Sequence, residues 1–71
     1  MEKTEMNTGI LKTIEYDEET RELHVHFQNG DYVIYYEVYK LDYVGFLSSN
    51  DYTNFFKERI EPRFPSRTIT P

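Results

Sequence analysis

The chain has 71 residues, with eight Lys+Arg against thirteen Asp+Glu for a net charge of −5, seven Tyr, five Phe, no Cys and no Trp. The lack of Cys excludes a disulfide scaffold, a thiolate zinc site and an iron–sulfur cluster, and no stretch approaches the ~20 apolar residues of a membrane-spanning helix. A domain of this size buries only about 60% of its unfolded surface, so its aromatic residues must supply much of the core and little space is left for an enclosed substrate cavity.

Residues 1–8 are polar and read as a flexible N-terminus, ahead of a single domain over 9–67 and a C-terminal tail over 68–71. The start, MEKTEMNTG, has no apolar run behind its charges and so is not expected to be a secretory signal; with the absence of Cys this points to a cytoplasmic compartment. From Ile10 to Tyr16, strict alternation would put Ile10, Lys12, Ile14 and Tyr16 on one face of a strand. Asp17-Glu18-Glu19-Thr20 is a turn. Arg21 to Gln28 alternates again, with Leu23, Val25 and Phe27 inward and Glu22, His24 and His26 outward. Asn29-Gly30 favours a tight hairpin. It leads into a strand over Asp31–Tyr36, with Val33 and Tyr35 on one face and Tyr32, Ile34 and Tyr36 on the other.

After Val38 the apolar period lengthens to that of a helix, and Tyr39, Tyr43, Phe46 and Leu47 form one stripe. A second helix is expected over Asp51–Ile60, with N-caps available in Ser49-Asn50-Asp51 and Pro62 and Pro65 ending it. The predicted fold is α+β, a three-stranded antiparallel β-meander followed by two helices packed on one face.

The ordered set Ile14-Glu15-Tyr16-Asp17, Leu23-x-Val25-x-Phe27-x-x-Gly30, Tyr35 and Val38, Phe55-Phe56-x-x-x-Ile60 and Arg63-Phe64-Pro65 resembles the KTSC domain. That family takes its name from a module at the C-terminus of some lysyl-tRNA synthetases and includes short free-standing bacterial and phage proteins. The resemblance implies no particular reaction, and at most proximity to RNA. Three positions depart from the family pattern. Tyr39 stands where Pro usually follows Val38, Asp51-Tyr52-Thr53 replaces a Ser-x-Gly turn, and Val33 replaces one aromatic of a Tyr-x-Tyr strand motif. If the Ser-x-Gly turn carries a function in the family, that function is expected to be lost here.

His24 and His26 are the only imidazoles and share a strand face. Without a third His or a Cys they read as a solvated, pH-responsive surface rather than a metal site. The acids Asp17, Glu18, Glu19, Glu22, Glu58 and Glu61 fall in turns or on polar helix faces. No Ser lies in a nucleophile elbow and no Gly-rich loop could hold a phosphate. No catalytic residue, cofactor or small-molecule substrate is indicated, and the chain is not expected to be an enzyme. Beside His24 and His26, the outward Tyr32, Ile34 and Tyr36 would form an aromatic platform, of the kind on which some RNA-binding sheets stack bases. The favoured reading is that these residues simply cover a small sheet or close a dimer, with a protein-contact face next. Leu41 and Val44 project away from the helical stripe and extend the candidate interaction face.

Charge divides unevenly along the chain. Residues 1–56 hold four Lys/Arg and eleven Asp/Glu, whereas residues 57–71 hold Lys57, Arg59, Arg63 and Arg67 against two acids. Those four cations are the candidate nucleic-acid contacts, although the favoured role for them is local, with Arg59 and Arg63 pairing with nearby acids and Phe64 at the core edge. The balance predicts a non-catalytic protein-binding module with a protein partner or a second copy of itself. The runner-up readings are an RNA-associated module, and an inhibitor that presents carboxylates from residues 15–22 and 31–42 to a basic partner.

Overall fold

The computed structural model describes residues 2–69. Five strands, β1 (Glu2–Thr8), β2 (Leu11–Asp17), β3 (Glu22–Phe27), β4 (Tyr32–Tyr35) and β5 (Ser66–Ile69), pair antiparallel in the order β1-β2-β3-β4-β5. Between β4 and β5 the chain forms α1 (Lys40–Leu47), α2 (Tyr52–Phe55) and a π-helical turn, Phe56–Ile60. The fold is α+β as expected, but the sheet has five strands rather than three.

Both additional strands lie where the sequence is polar. Residues 2–8, read as flexible, pair with β2 from Glu2↔Tyr16 to Thr8↔Leu11, and Met6 is their one buried side chain. Residues 66–69, placed across the domain end and the tail, pair with β4 from Tyr35↔Ser66 to Tyr32↔Ile69; Thr70 and Pro71 lie outside the described residues. Backbone pairing with an already formed strand makes these two edges, not an apolar pattern of their own.

The pairing of β2 with β3 also corrects the alternation expected over Ile10–Tyr16. The β2–β3 register slips between Leu11 and Thr13, so Lys12 is an extra residue opposite β3. Such a bulge resets which side chains point inward. Leu11, Ile14 and Tyr16 are therefore buried, and Ile10 stays exposed in the turn. Gly9 opens that turn at φ 55, where a Cβ would lie 2.1 Å from Thr53 Oγ1. The turn thus needs Gly for its backbone conformation and for the close approach of α2.

The helices cover the face bearing Leu23 and Val25. Tyr43, Phe46, Phe56 and Ile60 join Leu11, Ile14, Tyr16, Tyr35 and Val38 in one buried cluster. Phe56 is fully buried, with Phe27 and Tyr35 edge-on to it at centroid distances of 5.5 Å; burying such a ring contributes ~1.5–3 kcal/mol. Tyr39, expected in the helical stripe, is 54% exposed. It occupies the N-cap of α1, and the Arg21 guanidinium sits 4.7 Å above its ring. Asp51 caps α2 as expected, its Oδ1 accepting from the Asn54 amide at 3.1 Å. The last helical turn widens, with the Glu61 amide donating to Phe56 O at 2.9 Å, and Pro62 then ends the ladder.

Candidate functional site

With the helices all on one side, the opposite face of the sheet is left open. The register His24↔Ile34 and His26↔Tyr32 sets these four side chains together there, with Thr13 and Glu15 across from the histidines on β2. β5 adds Arg67 opposite Ile34 and Ile69 opposite Tyr32. β1 adds Lys3 opposite Glu15 and Glu5 opposite Thr13.

Tyr32 is the centre of this face. Its ring stacks on His26 with a centroid distance of 4.3 Å and an interplanar angle of 18°. Its hydroxyl is hydrogen-bonded to His24 Nδ1, and His24 Nε2 lies 3.1 Å from Glu22 Oε1. One neutral tautomer satisfies the whole chain, with Tyr32 O–H donating to Nδ1 and Nε2–H donating to Glu22. His26 Nε2 faces Glu15 Oε1 at 3.3 Å. Burial raises the Tyr32 phenol above its ordinary pKa, with the carboxylates of Glu15 and Glu22 and the neighbouring Tyr36 adding to the shift. The result is an aromatic cluster whose side chains fix one another, rimmed by carboxylates.

His24, His26, Tyr32 and Ile34 are therefore brought together, whereas Tyr36, expected in the same strand, lies one residue past the end of β4 with its amide bonded to Pro65 O. Leu41 and Val44 are not part of that surface; they project from the outward side of α1, 86% and 45% exposed, across the helical layer from the open sheet face. The four candidate cations are also dispersed. Lys57 and Arg59 lie on the π-helical turn of the helix layer. Arg63 follows it, with its guanidinium 5.8 Å from the Phe64 ring centroid, and Arg67 alone stands on the open sheet face. Among the described residues no group of three or more His, Cys, Asp or Glu is arranged to hold a metal ion, and no helix is long and apolar enough to cross a membrane.

The turn acids are partly engaged within the chain. Asp17 Oδ1 accepts from the Glu19 and Thr20 amides at 3.0 and 3.3 Å, and these bonds, that from Thr20 foremost, hold its carboxyl below the usual range. Glu18 pairs with Lys40 at 3.2 Å. Sequence reasoning missed Arg67 and Ile69 as neighbours of the platform. Their spacing of two is the only signal, in a strand of four residues.

Comparison with known proteins agrees with this architecture. None of the curated proteins matches the chain. A crystal structure of a KTSC domain protein from Yersinia pestis superposes with a TM-score of 0.87 over 97% of both chains at 24% sequence identity, which speaks for the fold. The family model of the KTSC domain matches residues 7–64. The chain belongs to the KTSC domain family.

Proposed function

We propose that this protein is a non-catalytic binding module that docks a protein partner on the open face of its sheet. The observation that carries this reading is the Tyr32 cluster. Its phenol, both His24 nitrogens and the His26 ring are engaged with one another or with Glu22 and Glu15, so the surface is ordered before any partner arrives. Preordered aromatic side chains lose little freedom on binding. Ile34 and Ile69 adjoin the cluster, and the carboxylates of Glu15 and Glu22 lie directly against its histidines. Those two carboxylates favour a basic group on a protein partner, which would be steered in by complementary charge.

RNA binding draws less support. Backbone-tracking sites line up their cations along a groove, and Lys57, Arg59 and Arg63 do not share the face of Tyr32. The reading is tested by placing the photocrosslinking residue benzoylphenylalanine at position 34, with position 57 as control, in cells of the native host. A discrete protein adduct from position 34 alone is expected. In parallel, labelled single-stranded RNA is titrated at about 50 and about 200 mM salt, where a phosphate-binding protein would lose affinity steeply. RNA binding with that salt dependence, or no protein adduct at position 34, would overturn the proposal.

A further inference from the structure

The helical layer does not close the whole inner face of the sheet. Beyond Phe56 and Ile60 an open cleft of about 470 Å³ remains between the β3–β4 hairpin, the β1–β2 turn and the end of the π-helical turn. Its apolar wall is Phe27, Val33 and Ile10, and its polar groups include Tyr35, Glu61 and Asp31. Among the described residues no Lys or Arg lines it.

Two features give the cleft a chemical preference. Tyr35 is only 4% exposed, yet its hydroxyl has no hydrogen-bond partner among the described residues, although the comparably buried Tyr16 donates to Val38 O at 2.7 Å. No fully buried side-chain polar atom among the described residues lacks a partner, so the Tyr35 hydroxyl is the edge of that side chain left open to the cleft, where a ligand group can take it up. Glu61, on the opposite wall, has no ion-pair partner among the described residues either. Burial, helped by the Glu61 charge, pushes the Tyr35 phenol up to about 12, so it remains a neutral donor beside a carboxylate.

We infer that this cleft receives an arginine or lysine side chain of a protein partner, its aliphatic stem along Phe27 and Val33 and its cationic head at Glu61 and Tyr35. Long cationic side chains bury their stems on apolar surface while the head seeks polar partners. Charge-assisted bonds to carboxylates are the stronger kind, and a second carboxylate, Asp31, adds negative potential at the rim. The volume lies in the range of drug-sized ligands, ~300–1,000 Å³, which leaves room for peptide backbone beside the side chain. A site for an anion would be repelled by both acids. The cleft is on the helix side of the sheet, so this inference stands independently of docking on the open face.

The test is a titration of the ¹⁵N-labelled protein with acetyl-Gly-Arg-Gly-amide, its citrulline counterpart and agmatine, followed by amide shifts. The arginine peptide is expected to saturate shifts centred on Phe27, Val33, Tyr35 and Glu61. Citrulline, which keeps the shape without the charge, should bind about tenfold or more weakly, and agmatine more weakly than the peptide. Glu61→Gln, at an exposed position that leaves the core intact, should cost the arginine peptide about the same factor. Tyr35→Phe, which keeps the ring, should cost several-fold. The inference is overturned by shifts that spread over the other acidic surfaces or fail to appear, by equal affinity for citrulline or agmatine, or by affinity indifferent to Glu61→Gln.

Discussion

Tyr16 and Tyr32 make nearly the same pair of contacts on opposite faces of one sheet. Tyr16 stacks on Tyr43 at 4.4 Å and donates its hydroxyl to the Val38 carbonyl at 2.7 Å. Tyr32 stacks on His26 at 4.3 Å and shares its hydroxyl with His24. The difference lies in what would happen if each were lost. Without the Tyr16 hydroxyl, the Val38 carbonyl loses a partner inside the core, and an unsatisfied buried acceptor is expensive. Without the Tyr32 hydroxyl, water can reach His24 and Glu22. Similar geometry therefore holds the fold together on one face and arranges a surface on the other.

The largest way to press that contrast is Phe56→Ala, which removes the ring at the centre of the covered face. It should cost ~3–5 kcal/mol, enough to unfold much of a domain this small, as read by urea denaturation. Alkaline titration comes next. The folded-state pKa of Tyr35 is raised from 10.0 to about 12, so the unfolded chain gives up that proton first. The associated stability is intact below pH 10 and is lost as pH rises from 10 to about 12, by up to ~2–3 kcal/mol. Tyr35→Phe should remove that part of the alkaline decline. A smaller effect is expected for Tyr16→Phe, a loss of ~1–2 kcal/mol from the orphaned Val38 carbonyl. Smallest is Tyr32→Phe, whose urea midpoint should move by less than ~0.5 kcal/mol equivalent because its lost partners can be solvated. A Tyr32→Phe cost equal to that of Tyr16→Phe would break the contrast.

Much of the central sheet is legible in the residues themselves. Alternation in Leu23-His24-Val25-His26 and the Asn29-Gly30 hairpin place His24, His26, Tyr32 and Ile34 on one face, because a strand's period of two leaves little choice once the turn is set. The edges are not legible in this way. Glu2–Thr8 buries only Met6 and Ser66–Ile69 buries none of its side chains, so neither carries a pattern that distinguishes it from a tail. The bulge at Lys12 is equally silent, since an inserted residue breaks the alternation that would reveal a strand. Tyr39 has helical spacing but sits at the cap, where the chain has not yet turned its side chains toward the core. The cleft depends on where the π-helical turn leaves Glu61 relative to Val33 and Tyr35, a tertiary relation that spacing does not encode. Likewise Arg67 and Ile69 join the Tyr32 surface only because β5 pairs with β4.

The most direct test of a docking face that is separate from the folding face is the yield of the position 34 crosslink in two further backgrounds, Tyr32→Ala and Tyr16→Phe. Tyr32→Ala is expected to stay folded and lose the adduct, while Tyr16→Phe, though less stable, keeps it. An adduct that survives Tyr32→Ala, or one that disappears in step with stability in both variants, would contradict the assignment of the open sheet face as the binding surface.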